Sequence, residues 1–124
     1  MKPIITMKKH LLDFKVEENI RLTNAYALLK LTPADGSELP EMLPGQFVQV
    51  AVDRSKATFL RRPISINNVE NNRLWLLIRN AGEGTEHLIA SKQGDVLNLL
   101  LPLGNGFPTD SVKGKILLVG GGVG

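Results

Sequence analysis

Residues 60–66 read Leu-Arg-Arg-Pro-Ile-Ser-Ile and place two arginines and a proline within a run that otherwise alternates like a β-strand. Arg62 carries a planar fork of donors that suits a pyrophosphate, Pro63 fixes φ and has no N–H to donate, and Ser65 has a hydroxyl that can donate or accept. The segment therefore has the features of a strand that binds a phosphorylated cofactor. An edge strand with solvated arginines and an edge proline would look the same, so this segment alone leaves both readings open.

A second segment with glycines follows about twenty residues later. Residues 80–89 read Asn-Ala-Gly-Glu-Gly-Thr-Glu-His-Leu-Ile, which is typical of a turn that leads into a helix. Thr85 is a good N-cap residue, so the pattern predicts a helix over residues 85–92 or 86–92 that stops at Gly94. The free N–H groups at the start of that helix would favour a phosphate. The arginine fork and the helix start could then hold one pyrophosphate.

Six segments of the chain carry strand-like patterns of alternating or continuous apolar residues. They are residues 10–17, 25–31, 46–52, 59–67, 73–79 and 95–101. The connections include a polar loop at 53–58, a turn at 67–72 and a glycine-punctuated turn at 102–107. Trp75 in the fifth segment is expected in the core. Six short strands and one short helix predict an all-β fold, a closed or nearly closed antiparallel barrel.

Three of these segments resemble the flavin domain of the ferredoxin reductase superfamily, namely residues 60–66, residues 82–88 and the Pro-Leu-Gly-Asn-Gly-Phe run at 102–107. Together they are most similar to the electron-transfer subunit of NAD-dependent dihydroorotate dehydrogenase. The similarity extends from about Leu11 to Gly124. The superfamily pattern has an aromatic residue two positions after the arginine, where this chain has Ile64. Any stacking on the flavin face is therefore aliphatic or comes from elsewhere.

The resemblance implies a six-stranded antiparallel Greek-key barrel that binds FAD. The implied cofactor-binding residues are Arg62, Pro63, Ile64, Ser65, Leu77, Ile78, Arg79, Gly84 and Thr85. In the family's pattern the arginine and the glycine–threonine pair hold the pyrophosphate, and the serine lies near the reactive nitrogen of the flavin. The proline and isoleucine would lie against the ring or ribityl chain, and residues 77–79 along the cofactor.

The resemblance also implies a function and partners. The intact protein would be an oxidoreductase component that passes electrons between a dihydroorotate dehydrogenase catalytic subunit and NAD in pyrimidine biosynthesis, as a hetero-oligomer. A 2Fe-2S cluster and the NAD site would belong to a later segment. The alternatives are the flavin domain of a ferredoxin-NADP reductase or sulfide dehydrogenase subunit, and a β-barrel that serves only as an interaction module.

The last residues of the chain differ in character from the rest. Residues 115–119 form an unbroken apolar run that leads into Gly-Gly-Gly-Val-Gly, as at the opening of a dinucleotide-binding fold. We therefore divide the chain into an FAD-binding barrel at 1–110 and, at 111–124, the first strand and glycine turn of an NAD-binding domain that is cut short. On this division we expect the chain by itself to be inactive with NADH.

Composition narrows the remaining possibilities. The 124 residues are 43% hydrophobic and 22% charged with a formal net charge of +3, which fits one globular domain. Basic residues are mostly scattered and aromatic residues are only 5%, so nucleic acid is not an expected partner. No stretch approaches the roughly 18 continuous apolar residues of a membrane span, and we expect a cytoplasmic protein.

Catalytic side chains and metal ligands are not expected within this chain. It contains no cysteine, which excludes disulfides, thiolate catalysis and cysteine-ligated metal sites. His10 and His87 lie far apart without metal-ligand spacing and are assigned to surface or capping roles.

Overall fold

The computed structural model describes residues 8–43, 45–52 and 60–122. The strands and helices of this part are β1 His10–Arg21, β2 Tyr26–Pro33, β3 Phe47–Val50, β4 Arg62–Glu70, β5 Arg73–Arg79, the helix α1 Glu83–Ile89, β6 Val96–Leu103 and a 3-10 turn at Thr109–Ser111. The strands close into an antiparallel barrel in the order β1-β2-β5-β4-β3-β6. The predicted fold class, a six-stranded antiparallel barrel with one short helix, is confirmed.

The barrel forms because its strands are apolar on one face. In β2 and β5 buried and half-buried residues alternate one by one, so each strand directs every second side chain inward. The fully buried large side chains that fill the interior are Phe14, Val16, Leu29, Leu31, Val48, Val50, Leu74, Leu76, Ile78, Leu88, Leu99 and Leu101. Burying one such aliphatic side chain stabilises the fold by roughly 1.5–3 kcal/mol, so these residues account for the closure.

β4 begins and ends three residues later than the sequence predicted. β4 continues to Glu70, with a register shift between Ile66 and Asn68, and the chain reverses at Asn71 and Asn72, whose φ values are 53° and 59°. Two successive positive φ values are typical of a tight hairpin turn. The predicted turn at 67–72 was too wide because the bulge breaks the alternation. The polar loop predicted at 53–58 lies outside the described residues.

The helix begins earlier than predicted. Gly82 is the N-cap residue, and Thr85 lies inside the first turn. The hydroxyl of Thr85 accepts a hydrogen bond from the Ala81 N–H at 2.7 Å and donates to the Gly82 carbonyl at 3.1 Å. The N-cap role predicted for Thr85 is therefore wrong, because its side chain bonds back toward the turn rather than forward into the helix. The helix also ends at its C-cap Ala90 rather than at Lys92.

The segment after the barrel has no regular secondary structure between residues 112 and 122. Ile116 is 63% exposed, and Leu117, Leu118 and Val119 are 86–89% exposed. The strand predicted over 115–119 is not formed in this structure, since an apolar parallel strand needs neighbours to pair with. The division into two domains stays a prediction. In the part of the chain that the structure describes, no helix is long and apolar enough to cross a membrane.

Candidate functional site: an arginine at an opening in the barrel wall

Helix α1 packs across one end of the barrel. Leu88 and Ile89 are buried in the core cluster, and the helix contacts β5 and β2. Arg62 begins β4 at this same end, where it stands opposite Val50 at the end of β3. The fold therefore places the start of β4 beside the start of α1, although twenty residues separate them along the chain.

Arg62 and Gly84 are in direct contact. A Cβ atom added at Gly84 would lie 2.5 Å from Nε of Arg62 and 3.3 Å from its Cζ and Nη2. The arginine side chain thus lies over the first turn of the helix, and it lies there because residue 84 has no side chain. The structure brings together the arginine and the glycine that the sequence analysis assigned to one pyrophosphate.

The guanidinium of Arg62 is left available for a ligand. Among the described residues it makes no hydrogen bond and no ion pair, although its side chain is only half-exposed. An arginine fork carries five N–H donors, and a half-buried fork without protein acceptors is suited to an anion. This free fork fits the pyrophosphate of a dinucleotide cofactor.

An opening in the barrel wall lies next to this arginine. Residues Arg62 to Ser65 pair with β3, but within the described residues the register between β4 and β5 begins only at Ile66 opposite Leu76. On the other side of the opening, Leu77 to Arg79 pair with β2. The facing edges of β4 and β5 thus present backbone N–H and C=O groups without a strand partner, as an edge strand does. We call this opening, between residues 62–65 and 77–79, the β4–β5 slot.

The predicted site residues divide between the two faces of the wall. Pro63, Ser65 and Arg79 are exposed beside the slot, and Leu77 is half-buried there. Ile64 and Ile78 point into the core, with exposures of 9% and 1%. Their side chains are therefore engaged in core packing, and the contact of the Ile64 side chain with a flavin ring stays a prediction.

The start of α1 contributes less to anion binding than its sequence indicated. The helix has seven residues, with Glu83 and Glu86 in its first turn, and carboxylates there oppose a bound phosphate. The Thr85 hydroxyl is already engaged with the backbone. The first-turn N–H groups remain donors by helix geometry, and the Arg62 guanidinium lies over this turn as a positive charge.

Arg61 is a structural feature that the sequence analysis missed. Its Nη1 donates to the carbonyls of Gln49 at 3.3 Å and Asn98 at 3.1 Å, and its Nη2 donates to the Asn98 side-chain oxygen. The Asn98 amide in turn donates to Asp13 at 2.8 Å. Strand alternation indicated only that Arg61 faces away from Arg62. The reading of Arg61 as a solvated arginine is wrong.

Trp75 also departs from expectation. It is half-buried on the outer face of β5 rather than in the core, because its neighbours Leu74 and Leu76 take the inward positions. Lys30 Nζ lies 4.3 Å from the centroid of its ring and 3.4 Å from a carboxylate oxygen of Glu18. The Trp75 ring therefore packs against the Lys30 ammonium group on the outer face of the barrel.

The opposite end of the barrel is closed by the chain itself. Gln46 is buried, its side-chain oxygen accepts the Leu43 N–H at 2.7 Å, and its amide donates to the Gly104 carbonyl at 3.1 Å. A Cβ at Gly104 would lie 3.0 Å from the ring of Phe47. The glycine-rich run at 102–107 thus closes the barrel, and its first two residues belong to β6.

The histidines and acidic residues of the described part of the chain are dispersed. No group of three or more histidine or acidic side chains there could hold a metal ion. His87 is exposed in the last turn of α1, and His10 begins β1.

The chain is similar in sequence to a set of curated bacterial proteins. One is the dihydroorotate dehydrogenase B (NAD(+)) electron transfer subunit of Lysinibacillus sphaericus, which is 48% identical over 93 residues, or 72% of this chain and 36% of that protein. The chain therefore spans about a third of the length of the curated relatives it matches. No protein-family profile matches it.

The barrel is also similar to solved structures of reductases. A cytochrome P450 reductase of Amycolatopsis superposes with a TM-score of 0.72 at 24% identity, over 87% of this chain and 33% of that one. A flavohemoglobin of Malassezia yamatoensis with bound FAD and heme gives 0.67 at 20% identity, over 77% of this chain and 25% of that one. These likenesses show the fold. The resemblance to electron-transfer subunits that was stated from the sequence is confirmed by the 48% identity.

Proposed function

We propose that this chain binds FAD at the β4–β5 slot and serves as the flavin domain of an electron-transfer subunit. The observation that carries the proposal is the Arg62 guanidinium, which has no acceptor among the described residues and lies over Gly84 beside two unpaired strand edges. The 48% identity to a protein named as an electron transfer subunit supports the same function.

Each part of the slot has a role in this proposal. Arg62 would bind the pyrophosphate through charge-assisted hydrogen bonds. The exposed Pro63 and Ser65 and the half-buried Leu77 would border the flavin ring, and the free backbone groups of both edges would hydrogen-bond its polar rim. Bound FAD would supply the capacity to accept and release electrons, while the protein supplies position and electrostatics. Gly84 keeps the space that Arg62 occupies.

The wider reaction follows from the name of the relatives. We propose that the intact protein passes electrons between NAD and a dihydroorotate dehydrogenase catalytic subunit, in pyrimidine biosynthesis and as a hetero-oligomer. Because the chain has no cysteine, a 2Fe-2S cluster bound by cysteines would lie outside it. Co-purification from the native source with a dihydroorotate-oxidising flavoprotein would support this pairing. A ferredoxin-linked or sulfide-reducing partner would favour the alternative function.

The cofactor assignment is tested by titrating the purified, flavin-free chain with FAD in a calorimeter. Arg62→Ala should weaken binding roughly ten- to hundredfold, because a charge-assisted hydrogen bond contributes about 1.5–3 kcal/mol. Arg73→Ala is the matched control, since Arg73 pairs with Glu17 at 2.6 Å at the far end of β5. Arg61→Ala is not a suitable control, because the Arg61 side chain makes hydrogen bonds to β3 and β6 that this change would remove.

Two results would contradict the assignment. One is a chain that takes up no flavin, which would favour the interaction-module alternative. The other is equal FAD affinity for Arg62→Ala and Arg73→Ala, which would remove Arg62 from the site even if the chain binds flavin.

A further inference from the structure

Arg61 connects the start of β4 to three other strands of the barrel. Its guanidinium donates to the carbonyl of Gln49 on β3 and to both oxygens of Asn98 on β6. Asn98 is itself held by Asp13 of β1, and its carbonyl also accepts the Ala51 N–H at 2.9 Å. One side chain next to the slot is thus fixed to a network that crosses the outer face of the barrel.

The hydrogen bonds of Arg61 lie next to the part of β4 that pairs with a single neighbouring strand. Among the described residues, the first four residues of β4 pair with β3 only, since β5 joins the ladder at Ile66. Arg62 has no hydrogen bond of its own there to hold it in place. The orientation of its side chain therefore depends on where the backbone of β4 starts and on the space above Gly84.

Neighbouring residues of a strand point to opposite faces. A guanidinium fixed on the outer face at Arg61 therefore directs the next side chain to the inner face, over α1. We propose that Arg61 is a positioning residue that acts through Arg62: its bonds to β3 and β6 set the direction of the anion-binding fork. This inference rests on the proposed function, because it assigns Arg61 a part in FAD binding.

A double-mutant cycle tests the proposal on the full chain. FAD affinity is measured for the unchanged chain, Arg61→Ala, Arg62→Ala and the variant with both changes. We expect Arg61→Ala to weaken FAD binding about three- to tenfold, within the range measured for coupled neighbours. In the Arg62→Ala background the same change should weaken binding no further, because the fork that it positions is gone. Additive losses would overturn the positioning role, since they would show that Arg61 acts on FAD binding independently of Arg62.

Folding is monitored in each variant by the fluorescence of Trp75, the single tryptophan of the chain. If Arg61→Ala does not fold, Arg61→Lys takes its place in the cycle, because lysine keeps the charge but cannot reproduce the planar fork that meets Gln49 and Asn98 together. The outcomes separate the two proposals. If Arg62→Ala binds FAD as tightly as the unchanged chain, the proposed site is wrong. If Arg62→Ala weakens FAD binding and Arg61→Ala adds an independent loss, only the positioning role of Arg61 is wrong.

Discussion

The two ends of the barrel differ in how many of their hydrogen-bonding groups have a partner within the protein. At one end the buried Gln46 bonds to the Leu43 N–H and the Gly104 carbonyl, and the Phe47 ring packs against Gly104. At the other end α1 covers the core, yet the strand edges of the slot and the Arg62 fork have no partners among the described residues. The polar groups at the closed end bond to one another, whereas a ligand can supply the missing contacts at the open end.

The largest expected effect concerns the helix that covers the open end. Leu88→Ala should lower the free energy of unfolding by about 2–5 kcal/mol, because it opens a cavity under α1 where Leu88 is 2% exposed. Urea unfolding measures the change. The matched control is Leu11→Ala, since Leu11 is 61% exposed on β1, and it should change stability by less than about 0.5 kcal/mol. Equal effects of the two substitutions would show that α1 is not seated on the core.

The closed end should respond in stability alone. Gly104 has φ of 74°, and an added Cβ would lie 3.0 Å from the Phe47 ring. Gly104→Ala should therefore cost about 1–2 kcal/mol of stability and leave FAD affinity unchanged at temperatures where the chain is folded. Thermal unfolding and FAD titration of the same preparation test both statements. Weakened FAD binding by the folded variant would mean that the two ends are not independent.

The same substitution at the open end should give the opposite pattern. Gly84→Ala adds a Cβ 2.5 Å from the Arg62 Nε, so the flexible arginine side chain must move. Alanine favours a helix over glycine by roughly 1 kcal/mol, so stability should hold or rise while FAD affinity falls about tenfold, or about 1.4 kcal/mol. Fluorescence titration with FAD measures the loss. Unchanged affinity would show that the position of Arg62 does not matter for binding.

The smallest expected effect concerns the outer face of the barrel, where Lys30 on β2 lies beside Trp75 on β5. Lys30→Met removes the cation over Trp75 and the ion pair with Glu18, and it should lower stability by about 0.5–1 kcal/mol. Urea unfolding followed by tryptophan fluorescence detects this change. Lys113→Met, at an exposed position outside the barrel strands, is the control. Equal stability of the two variants would show that the Lys30 contacts contribute nothing measurable.

The alternation of apolar and polar residues along the chain predicted most of the barrel and part of the site. In β2 and β5 this alternation was enough to predict the strands, because each apolar face must be buried. The start of α1 was misplaced because the Thr85 hydroxyl bonds back to Ala81 and Gly82, a choice that depends on the three-dimensional turn. The role of Arg61 could not be read from the chain, since its partners Gln49 and Asn98 are brought near only by closure of the barrel.

The most direct measurement is a crystal structure of the chain with FAD. The pyrophosphate oxygens should lie about 2.7–2.9 Å from the Arg62 guanidinium nitrogens, as in charge-assisted hydrogen bonds, with the flavin ring along the β4–β5 slot. FAD bound at the closed end, in the groove that Met42, Leu43 and Phe107 line, would contradict the account. So would a pyrophosphate in the slot that makes no contact with Arg62.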